Sequence, residues 1–161
     1  MIHSLSESEL IATNFIMKAG KIISTDWSAD LPKGWEDRTM VTLVGPVSDD
    51  GFASNIVVTR EKLEQATTVE EYAKVQADLM REELDGVELM DERAIEINGL
   101  PSFQRLQRFA IDDQIVQQVQ TFILGDNIIY AITGSSSVED FNASIPAFKK
   151  FVETFVLNDE L

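Results

Sequence analysis

The stretch that decides the fold runs from Val87 to Thr133 and reads "VELMDERAIEINGLPSFQRLQRFAIDDQIVQQVQTFILGDNIIYAIT". It contains four strand-like runs rich in β-branched and aromatic residues. The runs are joined by Asn98-Gly99, Asp112-Asp113 and Gly125-Asp126. Connections this short require neighbouring strands to pair antiparallel. The stretch therefore predicts one antiparallel sheet, built in chain order.

Further strands are predicted upstream of this stretch. Residues 21–35 are typical of a short strand followed by a turn at Pro32-Lys33-Gly34. Two β-branched runs follow, "DRTMVTLVG" and "ASNIVVTRE". Between them, Asp50-Gly51 is a strong hairpin signal. The first half of the chain is therefore predicted to be a meander of strands.

Two helices complete the predicted fold. Thr68, with Glu71 three residues later, has capping-box spacing and predicts a helix from Val69 to Asp85. Ser137 is predicted to cap a last helix, which Pro146 should kink or divide. Its apolar residues recur at steps of three or four: Val138, Phe141, Ile145, Phe148, Val152 and Phe155. We predict an α+β fold, an antiparallel β-sheet of about six to seven strands with two helices packed on one face.

The domain organisation follows from the length of the chain. Its 161 residues suit one domain with a core of its own. We expect residues 1–19 to be a poorly defined N-terminal extension and residues 20–161 to form a single domain. The early carboxylates Glu7 and Glu9 are unlike a signal peptide, and no apolar run approaches the ~18 residues of a membrane span. A cytoplasmic protein is expected.

Composition argues against several kinds of function. Lys and Arg number 13 and Asp and Glu 28, a formal net charge of −15 that opposes binding to nucleic acid and anionic lipid. The absence of cysteine excludes disulfides, thiolate zinc sites and a lipid-modified cysteine. His3 is the one histidine, and the acidic pairs fall mainly in predicted turns. We predict no catalytic residues, no metal and no cofactor, hence no enzyme.

The strands carry more apolar residues than a half-solvated sheet requires. The runs "MVTLV", "NIVV" and "NIIYAI" place apolar residues side by side, whereas a sheet with one wet face alternates apolar and polar residues. Both faces are therefore predicted to be partly apolar. Either the N-terminal segment or a second subunit covers the remaining face, or it binds an apolar partner.

Two short motifs carry a resemblance to a known family. Residues 34–39 form a Gly-Trp-x-Asp-Arg-Thr turn, and Asn55 to Arg60 form an Asn-aliphatic-aliphatic-x-Thr-Arg strand. With the helix "TVEEYAKVQADLM" and the run "INGLPSFQRLQRF", the chain from about Gly20 onward resembles the DcrB-like family. The similarity is to its cytoplasmic branch, the Eag chaperones of type VI secretion.

The resemblance implies a PsbP-like fold and a homodimer. It also implies a chaperone that holds the N-terminal transmembrane helices of a PAAR- or Rhs-type effector until the secretion machine loads it. A chaperone surface that covers these helices lowers the free energy of their apolar side chains in water by about 25 cal/mol per Å² covered.

The resemblance places the client on the first strands of the sheet. Alternate residues of a strand share a face, so even-numbered residues form one candidate set for client binding. This set is Ile22, Met40, Thr42, Ile56 and Val58. The opposite choice is Ile23, Val41, Leu43 and Val57. Trp35, Asp37, Arg38, Asn55 and Arg60 are interpreted as structural. Trp35 is expected to be buried, and Arg38 to pair with Asp37 or a backbone carbonyl.

Three alternative functions are considered. A periplasmic DcrB-type lipoprotein would need a signal peptide and a lipid-bearing cysteine. A non-catalytic accessory module would bind a folded soluble protein partner. A small hydrolase would place a carboxylate pair of perturbed pKa in a deep polar cleft.

Overall fold

The structure, a computed structural model, describes residues 20–158. The predicted N-terminal extension lies outside the described residues, and the predicted single domain from residue 20 stays a prediction. The chain divides into two compact units, the first ending at Arg38 and the second beginning at Thr39.

The first unit contains a small hairpin and a turn. Strand β1 (Lys21–Ile23) pairs antiparallel with β2 (Ser28–Asp30), so the segment holds one strand more than predicted. The predicted turn follows, with the Trp35 N–H donating to the Pro32 carbonyl at 3.0 Å. Gly34 has a φ of +82°, which is the conformation that the third position of a type II turn requires.

The second unit is built on a six-stranded antiparallel sheet. The strand order is β3-β4-β8-β7-β6-β5. The predicted sheet, with its last four strands paired in chain order, is confirmed. The strands are β3 (Val41–Val47), β4 (Ala53–Lys62), β5 (Glu88–Ile97), β6 (Leu100–Ile111), β7 (Gln114–Gly125) and β8 (Ile128–Ser137).

Two-residue turns with positive φ join the last four strands. Asn98 and Gly99 have φ values of 47° and 83°, as type I′ hairpin turns require. The third turn is formed by Asp126 and Asn127 rather than by the predicted Gly125-Asp126. Gly125 is the last residue of β7, and Asn127 tolerates the left-handed conformation that a glycine was expected to supply.

Helix α1 (Val69–Glu83) begins where the capping box predicts. The Thr68 hydroxyl accepts a hydrogen bond from the Glu71 N–H at 3.2 Å. Thr67, rather than Thr68, engages the Glu71 carboxylate, with its hydroxyl 3.1 Å from Oε2. The helix ends two residues before the predicted Asp85.

We expect Thr68→Ala to lower the free energy of unfolding by about 1 kcal/mol, because the Glu71 N–H loses its acceptor. Urea denaturation measures the change. Thr68→Ser is the matched control, because it keeps the hydroxyl and should leave the free energy of unfolding nearly unchanged. Equal losses in both variants would show that packing of the threonine methyl group, not the cap, stabilises this end.

Helix α2 (Phe141–Glu153) begins later than predicted. Ser137 is not its cap but the last residue of β8, and Asp140 occupies the cap position without a side-chain hydrogen bond. The Ser137 hydroxyl instead accepts from the Asp140 N–H at 3.4 Å, in the turn between strand and helix. Pro146 lies inside the helix without dividing it.

The two helices pack on opposite faces of the sheet. Phe122 belongs to the core cluster under α1, with Val69 and Ala73. Its neighbour Ile123 belongs to the cluster under α2, with Val152. Adjacent residues of a strand point to opposite faces. The α+β class is confirmed, but the predicted placement of both helices on one face is wrong, because each face buries its own helix.

Candidate binding surfaces

The edge strand β3 exposes apolar side chains on both of its faces. We call Val41, Leu43, Val44 and Val47 the β3 surface. Their exposed fractions run from 44% at Leu43 to 70% at Val44, and Met40 just before the strand is 59% exposed. Clusters of exposed apolar side chains of this kind mark interaction sites in soluble proteins.

The opposite edge of the sheet is built differently. β5 is the last strand in the order, and its exposed side chains are mainly charged. The charged ones are Glu88, Asp91, Glu92, Arg93 and Glu96, and Met90 is the one large apolar side chain exposed on this strand, at 37%. Charged edges discourage pairing with another chain. The sheet therefore has one edge suited to binding and one that resists it.

The pairing of β3 with β4 corrects the predicted client-binding set. Val41 is opposite Val58, Thr42 opposite Val57, and Leu43 opposite Ile56. Each even-numbered residue of β3 thus shares a face with an odd-numbered residue of β4. Both same-parity choices therefore mix the two faces, and Thr42 does not lie with Ile56 and Val58.

Ile56 and Val58 are partly buried by packing against the core cluster under α2. Their side chains therefore belong to the core on the α2 face of the sheet more than to an open surface. Thr42 and Met40 are exposed. In the first unit, Ile22 lies in β1 opposite Ala29 and is half-buried, whereas Ile23 is 61% exposed.

The predicted anchoring role of Trp35 is wrong. The indole is 71% exposed. The turn is held by its backbone hydrogen bond and by the conformation of Gly34, so it does not need the indole to be buried. The Arg38 guanidinium donates to the Glu36 carboxylate from Nε at 3.2 Å and from Nη2 at 2.9 Å, whereas Asp37 or a backbone carbonyl was the predicted partner.

The second motif lies on β4. The Asn55 side-chain amide donates to the Ala53 carbonyl at 3.1 Å, which fits a structural role at the start of the strand. Arg60 is exposed and stands opposite Tyr130 of β8. The structural roles of Asp37 and Arg60 stay predictions.

A groove lies between α2 and the outer strands of the sheet, with a cavity volume of about 480 Å³. Leu106 and Val119 form its apolar floor, and Ile145 and Phe148 of α2 form one wall. Ile95 and Ile97 of β5 contribute to the other wall. Sequence reasoning missed this groove, although the alternation of Ile95 and Ile97 with charged residues along β5 was a signal of it.

A chain of polar side chains ends at the rim of the groove. Arg93 donates to the Gln104 Oε1 from Nε at 3.1 Å and from Nη2 at 2.6 Å. Gln104 in turn donates to the buried Thr121 hydroxyl at 3.2 Å. The three residues stand side by side on β5, β6 and β7, so the sheet itself orients the guanidinium.

Two side chains with perturbed pKa values are explained by local contacts. Burial, reinforced by a hydrogen bond to Glu61, raises the pKa of Tyr72. The Ser48 hydroxyl and the Phe52 N–H hold the pKa of Asp50 below its usual range. Neither is a carboxyl group of raised pKa, which a hydrolytic acid would need. Among residues 20–158, no cluster of His, Asp or Glu has the arrangement of a metal site.

Comparison with solved structures defines the class of fold. A Pseudomonas aeruginosa protein described as PA94, of unknown function and a putative regulator, superimposes with a TM-score of 0.76 at 18% identity, over 86% of this chain and 96% of that one. The PsbP protein CyanoP of Synechocystis sp. PCC 6803 gives 0.55 at 10% identity, over 86% and 91%. The fold is that of the PsbP-like α+β proteins.

The family follows from the sequence model named DcrB, which matches residues 28–154. This is well over half of the chain, so the chain belongs to the DcrB family. No curated protein matches the sequence. Within the described part of the chain, no helix has the length and apolar character that crossing a bilayer requires.

Proposed function

We propose that this protein is a non-catalytic cytoplasmic chaperone. It binds the apolar N-terminal transmembrane helices of a PAAR- or Rhs-type effector and keeps them soluble before type VI secretion. It acts as a homodimer. The observation that carries the proposal is the β3 surface, where apolar side chains stay exposed along an entire edge strand.

Membership of the DcrB family supports the proposal, as does the contrast between the two edges of the sheet. Apolar side chains of a client lose contact with water when they cover Val41, Leu43 and Val44, at about 25 cal/mol per Å². The net charge of −15 keeps a protein with such a surface dispersed in solution and attracts the basic residues that flank many membrane spans.

The test is co-expression with an effector fragment that contains its predicted membrane segment, compared with the same fragment lacking that segment. We expect a complex only when the segment is present. Leu43→Asp should then weaken recovery at least tenfold, because a carboxylate would be buried against an apolar helix.

Val75→Asp is the matched control, because Val75 is an apolar residue on α1 that is 54% exposed, against 44% for Leu43, and lies away from the β3 surface. It should leave recovery unchanged. Circular dichroism checks that both variants fold. Equal recovery of both fragments would overturn the proposal and favour an accessory module that binds a folded soluble partner.

A further inference from the structure

We infer that the groove beside α2 binds a long-chain fatty acid, with its carboxylate on Arg93 and its chain along Leu106, Val119 and Ile145. This site is separate from the β3 surface and does not depend on the proposed chaperone function. Its cavity volume of about 480 Å³ lies within the range of small-molecule sites, and eight of its fourteen lining residues are apolar.

The groove is elongated. On one side it follows β5 from Asp91 to Ile97, about 20 Å at the rise of a strand. On the other it follows α2 from Phe141 to Glu153, about 18 Å at the rise of a helix. A groove of this length with an apolar floor suits a single extended acyl chain better than a compact ligand.

Arg93 supplies the polar anchor. Its Nε and one hydrogen of Nη2 are occupied by Gln104, a neutral acceptor, and Thr121 fixes Gln104 from the other side. Within residues 20–158, Arg93 has no carboxylate partner within 4 Å, whereas the Lys149 ammonium of the same groove lies 3.7 Å from Glu153. Nη1 is thus left to donate to a ligand, and a carboxylate matches the planar guanidinium.

Acidic side chains also line the groove, so the preference for an anionic over a cationic ligand can be tested. Asp91, Glu96 and Glu153 also line it and would repel an anionic head group. Asp91 stands two residues from Arg93, on the same strand. If Arg93 dominates, removing the Asp91 charge should strengthen binding of a fatty acid. If the acidic rim dominates, the groove should prefer a cation.

The experiment is calorimetric titration of the full chain with three ligands that share one chain length: palmitate, methyl palmitate and hexadecyltrimethylammonium, each below its aggregation limit. We expect palmitate to bind most tightly. Arg93→Gln should weaken palmitate about tenfold and leave methyl palmitate unchanged, because it removes charge-assisted hydrogen bonds to the carboxylate. Asp91→Asn should tighten palmitate binding severalfold.

Arg60→Gln is the matched control, because Arg60 is an exposed arginine on β4 that does not line the groove. It should not change palmitate binding. Tighter binding of the cationic ligand, or equal binding of palmitate and its ester, would overturn the assignment. Leu43→Asp separates the two proposals, because it should weaken client recovery at least tenfold while palmitate still binds.

Discussion

Gly134→Ala is expected to lower the free energy of unfolding by about 3 kcal/mol, the upper range for overpacking a core. A Cβ at this position would lie 2.6 Å from Cγ of Phe148 and 2.8 Å from both Cδ atoms. The ring is buried and lies against Phe141, with centroids 6.2 Å apart. The cavity that Gly134 and Phe148 line together is about 10 Å³, too small to receive a displaced ring, so the ring would have to move toward the groove that it also lines and lose its packing against Phe141.

Gly125→Ala is the matched control for urea denaturation. Its Cβ would lie equally close, 2.6 Å, to Cδ1 of Leu157. That atom is the end of a flexible side chain near the C-terminus, so it can rotate away, and we expect a loss below about 1 kcal/mol. Replacing Phe148 by leucine in the Gly134→Ala variant should restore part of the lost stability. Equal losses at the two glycines would contradict the explanation.

The second large effect is expected at Arg105, whose side chain is 1% exposed. Its Nε donates to Glu92 at 3.0 Å and its Nη2 to the Ala73 carbonyl of α1. The guanidinium also lies near the rings of Phe103 and Phe122, 5.8 and 5.7 Å from their centroids. Glu92→Gln would leave this buried cation without its anion, so we expect a loss of about 2 kcal/mol, moderated by the partial exposure of Glu92.

A double-mutant cycle tests this reading. Arg105→Met removes the buried charge while keeping an apolar side chain of comparable length. The Glu92→Gln substitution should therefore cost almost nothing in an Arg105→Met background. Urea denaturation of the four proteins gives the coupling free energy. Additive losses would mean that Glu92 stabilises β5 independently of the arginine.

Most of the strands and turns could be predicted from the sequence because their signals are local. Asn98-Gly99 and Asp50-Gly51 specify hairpins through residues that accept positive φ, and Thr68 specifies a helix start through its hydroxyl. The register of β3 against β4 could not be predicted. It depends on the length of the connection and on the irregularity between Val44 and Val47, which no apolar pattern encodes.

The placement of the helices and of the binding surfaces could not be predicted from the sequence for a different reason. Side by side, Phe122 and Ile123 show that both faces are apolar, but not which helix covers each face. Arg105, in the run "QRLQR", has the composition of a solvated strand. Its burial depends on α1 arriving from a distant part of the chain. Trp35 is the opposite case, because this large aromatic residue beside a turn was expected to be buried but is exposed.

The unlike edges of the sheet also limit how copies of this protein could assemble. Open-ended assembly of copies through their sheets needs two edges that each accept a neighbour, so that every added copy offers a free edge to the next. Here only β3 is apolar, whereas β5 carries a row of charges. If two copies met through β3, both remaining edges would be charged, and growth would end at the pair. The asymmetry that leaves an exposed apolar strand at one edge thus keeps the six-stranded sheet from growing into a fibre.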